Sequence, residues 1–202
     1  MDDNVFEQLA DKYDTAERKK SADIIVKRVR PELAGSTTAS FIDYGSGTGL
    51  VSLALADLVE SVLLVDSSGQ MLEAAEAKIS RRGLANCRVQ HADFTKEIPE
   101  IKADIIFMSL VLLHIPDTEG MLRTLFRLIN NGEKLIIVDF DKNERVHHPA
   151  VHHGFSYSRL KKQLSGAGFI STDISTFYRG RKIFMKKDAS MFLAVSRKQA
   201  EQ

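Results

Sequence analysis

Apolar residues along this chain follow two rhythms. Near the start, Ala22, Ile25, Val26 and Val29 fall at i, i+3, i+4 and i+7. That spacing predicts a helix through the twenties that lays one face on the body and ends before Pro31. After the turn-like GSTTAS of residues 35–40, short apolar runs take over: SFIDY, SVLLVD, CRVQHAD, ADIIFMSL and EKLIIVDF, separated by stretches of helical length. Such alternation predicts a parallel sheet with crossover helices. The runs lack a clean period of two, as expected of strands that helices bury on both faces.

The intervening segments carry their own punctuation. Asp117 or Thr118 is placed to cap a helix whose face is Met121, Leu122, Leu125, Leu128 and Ile129, with NNG at 130–132 as its stop. Ser156 or Ser158 is placed to cap a second helix through Leu160 and Leu164, ending at GAG, 166–168. Beyond it, ISTDISTFY (170–178) and ASMFLAVSR (189–197) are joined only by a basic connector. Two neighbouring antiparallel strands at one side of the sheet are predicted there. No repeat and no linker interrupts the 202 residues, so 1–202 reads as one domain, a helical cover over 1–34 and a core over 35–202.

Composition narrows the partners. Lys+Arg 28 against Asp+Glu 27 gives a formal net charge of +1, no general field for nucleic acid or an anionic membrane. Nucleic acid is therefore not expected as a partner. The five cations of RGRKIFMKK, 179–187, are expected to form a solvated strand end. Cys87 is the only cysteine; no internal disulfide, Cys-based zinc cage or CxxC redox pair is possible, and a reducing interior fits. MDDNVFEQLADKYD has acid where a signal peptide needs a basic segment, and no run approaches transmembrane length. A cytoplasmic protein is expected.

The chemistry centres on FIDYGSGTGL, residues 41–50. A glycine-rich turn between strand and helix lets backbone approach a ligand closely and offers free N–H donors. No lysine follows Gly49, which argues against a nucleoside triphosphate loop. Gly45, Gly47 and Gly49 form GxGxG, and Leu50 stands where the third dinucleotide glycine belongs. Three acids close predicted strands: Asp43 the first, Asp66 the second and Asp93 the third. In an open parallel sheet they converge on the crevice outside the carboxyl edge. With Ser67 or Ser68 capping the next helix, Asp66 is left to grip a vicinal diol, a task common to NAD and adenosyl ligands.

FIDYGSGTGL, LLVDSSGQML, HADF, ADIIFMSLVLLHIPD and LINNGEKLIIVDF together resemble the class I S-adenosylmethionine-dependent methyltransferases, especially small-molecule enzymes of the ubiquinone/menaquinone-methyltransferase type. The resemblance covers residues 40–140 well. It implies a Rossmann-like α/β fold: a seven-stranded, mostly parallel sheet with a C-terminal antiparallel hairpin and helices on both faces. It implies S-adenosylmethionine as cofactor, with S-adenosylhomocysteine as product. Asp43, Gly45, Gly47 and Gly49 then lie under the methionine part, Asp66 holds the ribose hydroxyls, Asp93 meets the adenine amino group and Phe94 is a ring neighbour. Ser67 and Ser109 join these cofactor-binding positions. FEQLADKYDTAER is similar to the family's cofactor-covering segment, with Tyr13 and Asp14 reaching the site.

The acceptor is less legible. The loop after the fourth strand reads MSLVLLHIPD and lacks the [DNS]PP[YFW] stretch of amino-group methyltransferases. Relatives often carry LHHIPD there, and Leu113 replaces the first histidine. His114 remains as an orienting residue or general base, because imidazole titrates near neutrality. RVHHPAVHHGF, 145–155, holds four of the six histidines; Pro149 predicts a loop rather than a helix, and His152 or His153 is the second choice of base. Tyr157 and Tyr178 are weaker candidates, expected to be packed. No metal site is expected. The activity expected is methyl transfer to oxygen, carbon or sulfur of a small organic acceptor. Its rivals are an RNA or protein methyltransferase using 179–187, a non-catalytic adenosyl-binding module, and an NAD-linked oxidoreductase, which Leu50, Asp93 and the terminal hairpin disfavour.

Overall fold

The computed structural model describes residues 13–146, 148 and 151–200. Seven strands form one sheet: β1 (Ser40–Tyr44), β2 (Ser61–Asp66), β3 (Cys87–His91), β4 (Ala103–Ser109), β5 (Ile129–Phe140), β6 (Ser171–Phe184) and β7 (Lys187–Arg197), in the order β3-β2-β1-β4-β5-β7-β6. The chain divides into two compact units at Glu97/Ile98.

In the N-terminal unit, helix α1 (Ala16–Val29) starts at Thr15, whose hydroxyl accepts the Arg18 N–H at 3.2 Å, and buries Ala22, Ile25 and Val29 as its spacing predicts. Val26 is only half-buried. Strands β1, β2 and β3 pair in parallel, Tyr44 opposite Val65 and Asp66 opposite His91 at their carboxyl ends. Helix α2 (Gly69–Arg82) crosses from β2 to β3, capped by the Ser68 hydroxyl and ended by Gly83 in the left-handed region at φ 64°. The stretch between β1 and β2 departs from expectation. No α-helix follows the glycines; Ser52–Ala54 and Ala56–Leu58 form two short 3-10 turns. Leu53, Leu55, Ala56 and Val59 are all buried there, too many directions for one helical face, and tighter turns accommodate them.

In the C-terminal unit, β4 and β5 run parallel while β5–β7 and β6–β7 are antiparallel, which is the predicted hairpin. Helix α3 (Thr118–Leu128) is capped by Asp117, which accepts the Gly120 N–H at 2.8 Å, and buries Met121, Leu122, Leu125 and Leu128. It stops one residue short of its predicted face. Ile129 opens β5 opposite Ala103, so NNG lies inside a strand rather than in a turn. Pairing with β4 supplies hydrogen bonds that a further helical turn would forgo. Helix α4 (Tyr157–Ala167) buries Leu160 and Leu164 and closes on Gly168 at φ 114°; Ser156 precedes it without a capping side-chain bond. Among the described residues, no helix is long and apolar enough to cross a membrane.

Candidate functional site

The glycine loop takes its shape from its backbone. Gly45, Gly47 and Gly49 sit at φ 73°, 52° and 73°, a region that an L side chain enters at a cost of about 1 kcal/mol or more. Their surroundings differ. A Cβ on Gly47 would lie 3.7 Å from the Tyr13 ring, an ordinary contact; one on Gly49 would lie 2.7 Å from Leu64 and 2.9 Å from Leu53. Gly49 is therefore small because the core closes on it, whereas at Gly47 the ring of Tyr13 lies against the backbone. Ser46 Oγ, between Gly45 and Gly47, is buried with no hydrogen-bond partner among the described residues.

Asp66 fastens this loop. Its Oδ2 accepts the Gly47 N–H at 2.7 Å and its Oδ1 the Ser68 N–H at 2.9 Å. The sequence left this carboxylate free; the fold engages it, because the loop after β1 lies beside the end of its parallel neighbour β2. Two oxygens carry about four lone-pair sites, so capacity for a diol persists. Burial raises its pKa against the pull of those N–H bonds. Asp43 is 3% exposed. Burial, with Asp66 adding like charge, pushes its carboxyl up to about 7, so it lies under the loop rather than in an open crevice.

A latch crosses the same loop. Thr48 donates to Asp14 Oδ1 at 2.6 Å, Lys78 from α2 pairs with Asp14 Oδ2, and Lys78 also donates to the Thr48 carbonyl at 2.8 Å. Burial pushes the Asp14 carboxyl up, but the bonds from Lys78 and Thr48 outweigh it and hold it below the ordinary range. Arg18 stacks on Tyr13 with its guanidinium carbon 3.8 Å from the ring centroid. Tyr13 and Asp14 thus reach the loop; residues 6–12 of the predicted cover lie outside the described residues. Lys78 carries no sequence signal, since its position in AAEAKISRR looks like any solvated lysine.

The third acid is locally satisfied. Asp93 Oδ1 accepts from the Thr95 N–H at 2.9 Å and its hydroxyl at 2.6 Å, and Oδ2 pairs with Lys96 at 3.2 Å. Burial raises this carboxyl, yet the Thr95 and Lys96 bonds prevail and keep it low. Phe94 is 2% exposed and stacked on Tyr44 with centroids 4.4 Å apart. Its ring is a core element, and its N–H donates to the Tyr44 hydroxyl at 3.1 Å. Tyr44, inside FIDYG, is the residue that orders this corner. Ser67 contributes its carbonyl to His91 Nε2 at 2.9 Å.

In the C-terminal unit, the loop after β4 is bent at Leu110, φ 57°, a left-handed turn rare for leucine. Ser109, half-buried, ends β4 opposite Val138. Asp139 on β5 holds the loop: fully buried, it accepts the Leu113 N–H at 3.1 Å and the Phe140 N–H at 2.8 Å. Burial pushes it up to about 7 despite bonds from Phe140, Leu113 and Leu112. Its only sequence signal was an acid in the apolar run LIIVDF. His114 closes the turn; burial lowers its pKa, and His148 and His152 lower it further.

His152 is anchored at both ends. Its N–H donates to the Leu113 carbonyl at 2.8 Å, and Nε2 lies 2.7 Å from the Ile115 carbonyl. A carbonyl only accepts, so Nε2 carries the proton and Nδ1 is the remaining base. His153 is exposed. His147, Pro149 and Ala150 lie outside the described residues, and among those described no group of three His, Cys, Asp or Glu could hold a metal. Tyr157 Oη, Thr176 Oγ1 and the Asp141 carboxylate form a triangle of contacts, 2.8 Å from Tyr157 to Oδ1 and 3.0 Å from Thr176 to Oδ2, over which the two hydroxyl protons are shared. That closed triangle ties α4 and β6 to the end of β5.

Comparison with known proteins points one way. The family described as "Methyltransferase domain" matches residues 36–187. The chain is 30% identical over 183 residues to the ubiquinone/menaquinone biosynthesis C-methyltransferase UbiE of Azotobacter vinelandii, covering 87% of this chain and 71% of that one. Among solved structures, DhpI in complex with SAH aligns with a TM-score of 0.73 at 20% identity, covering 98% of this chain and 96% of that chain. A SAM-dependent methyltransferase from Aquifex aeolicus aligns at 0.68 and 23% identity over 94% and 97%. The two structural likenesses establish the fold alone.

Proposed function

We propose, for a chain that belongs to the methyltransferase domain family and is an S-adenosylmethionine-dependent methyltransferase, that the methyl group goes to a small organic acceptor at carbon, oxygen or sulfur, with carbon favoured. The curated relative's description as a C-methyltransferase supports carbon. On this reading residues 1–202 work as one methyltransferase domain.

The observation that carries the donor assignment is the Asp66 carboxylate, pinned by the Gly47 and Ser68 N–H groups with acceptor capacity remaining, beside the buried and unpartnered Ser46 hydroxyl. An orphaned donor and a carboxylate that prefers more N–H or O–H partners fit a polar ligand laid on the loop. Asp66 would take the ribose hydroxyls, Gly45 and Gly47 would let the methionine part approach, and Tyr13 would cover it. Asp43 and Gly49 would support the loop from below. When bound, the cofactor supplies an activated methyl on a sulfonium and a neutral thioether leaving group, so positioning and desolvation provide much of the rate.

For an acceptor that must lose a proton, His114 is the base, its pKa lowered by burial. His152 offers only Nδ1, and its Nε2 bond to Ile115 makes it a brace for the His114 turn.

The test is direct. Incubation with methyl-labelled S-adenosylmethionine and a panel of phenols, quinols and thiols, with mass spectrometry of the products, should show transfer to a small molecule, and fragmentation identifies the atom. Labelling confined to RNA or protein would overturn the acceptor class. Cofactor binding with no transfer to any acceptor would favour a binding module instead.

A further inference from the structure

The β6–β7 hairpin runs past the rest of its sheet. β5 pairs with β7 as far as Phe140 opposite Met191, Asp141 adds one N–H bond to the Ser190 carbonyl at 2.9 Å and the Asn143 and Arg145 side chains reach the Asp188 carbonyl, while β6 and β7 stay paired past these contacts to Phe184 opposite Lys187. A two-stranded arm therefore projects from the carboxyl end of β5, the side on which parallel sheets of this kind bind ligands.

Three observations set the tip apart. The first is charge: Arg179, Arg181, Lys182, Lys186 and Lys187 are all exposed, and among the described residues no ion-pair or side-chain hydrogen-bond partner is found for any of them. The one adjacent acid, Asp188, takes the Lys182 N–H at 2.9 Å. The second is apolar exposure. Met185 is 45% exposed at the turn, and the aromatic of 179–187, Phe184, is turned in and stacked on Phe140 at 4.3 Å. The third is backbone strain. Met185 and Lys186 occupy the turn at φ 48° and 60°, where a hairpin ordinarily has Asn-Gly. Lys182 adds another left-handed residue at φ 58°. Strain held by ordinary side chains marks positions whose side chains are wanted for themselves.

Edge cations alone serve to keep a sheet from pairing with another chain. They do not account for a strained turn that displays a methionine. We infer that the arm docks on an anionic phospholipid surface, its five cations against the headgroups and Met185 inserted at the headgroup–acyl boundary. RNA fits less well, because single-strand binding uses exposed aromatic platforms and Phe184 is buried. The balanced net charge of +1 makes this a local field, active within about one Debye length, ~10 Å. The inference is independent of the acceptor.

Flotation of the full chain with vesicles of equal parts phosphatidylcholine and phosphatidylglycerol tests it. Wild type should float with these vesicles and not with pure phosphatidylcholine. Each cation removed should weaken binding about fivefold, so Lys182→Gln/Lys186→Gln/Lys187→Gln together should lose about a hundredfold while retaining the wild-type circular dichroism. Met185→Ser should lose severalfold at unchanged charge. Absence of flotation, an undiminished triple variant, an undiminished Met185→Ser, or displacement from vesicles by a single-stranded RNA at lower concentration would each overturn the inference.

Discussion

Asp66 and Asp139 perform the same mechanical task in different halves of the chain. Each lies at or near the carboxyl end of a parallel strand and fastens the loop that follows the neighbouring strand: Asp66 of β2 takes the Gly47 N–H, and Asp139 of β5 takes the Leu113 N–H. Their settings differ. The Asp66 loop is glycine-rich, with a hydroxyl unpartnered among the described residues and a half-buried carboxylate; the Asp139 loop is leucine-rich, bent at Leu110, around a carboxyl that water does not reach. An acid with room for more partners can serve a ligand as well as its loop. An acid sealed in the core serves the loop only.

That contrast breaks most visibly at Asp139. Asp139→Ala strands the N–H groups of Leu112, Leu113 and Phe140 and should lower unfolding stability by roughly 4 kcal/mol, read by urea denaturation. Equal stability of the variant would mean that the loop does not depend on the acid. Next in size is the separation of the glycines. Gly49→Ala drives a Cβ into Leu64 and Leu53 and should cost roughly 3 kcal/mol, whereas Gly47→Ala should cost about 1 kcal/mol, from its left-handed φ. Denaturation midpoints that fall equally would remove the distinction between a glycine packed in the core and one facing the Tyr13 ring.

A pH scan sharpens the comparison further. Asp43 and Asp139 both have folded pKa values raised to about 7. Between the unfolded carboxyl range and pH 7 the native state holds protons that the unfolded chain releases. Their stabilisation is full below about pH 4, declines as pH rises and levels off above 7. Asp139→Asn should flatten part of that slope in thermal melts across pH 4–8, and an unchanged slope would refute the assignment. Asp66→Ala acts on a ligand rather than on folding. It should weaken S-adenosylhomocysteine binding about tenfold, ~1.4 kcal/mol, by calorimetry, with stability reduced by less than at Asp139. Unchanged affinity would place the ribose grip elsewhere.

Legibility followed the range of the interactions. The strand runs, the terminal hairpin, the Ser68 and Asp117 helix starts and the three left-handed glycines are local, and local sequence reports them through period, capping chemistry and φ preference. The 3-10 turns after Gly49 and the start of β5 at Ile129 were missed because packing and ladder pairing overrode a helical pattern. The ring of Phe94 packs on Tyr44, fifty positions away. No spacing rule links them.

The chain by itself determined that a glycine-rich loop would follow the first strand and that acids would stand at the ends of the first three; the resemblance of its motifs to a family implied S-adenosylmethionine as the donor. The fold decided which acid could still accept a ligand. Residues 19 apart joined Asp66 to Gly47, residues 30 apart joined Lys78 to Thr48, and residues 26 apart joined Asp139 to Leu113. A carboxylate's remaining capacity depends on which N–H groups the fold delivers to it and how much water it keeps, and both are set by neighbours distant in sequence.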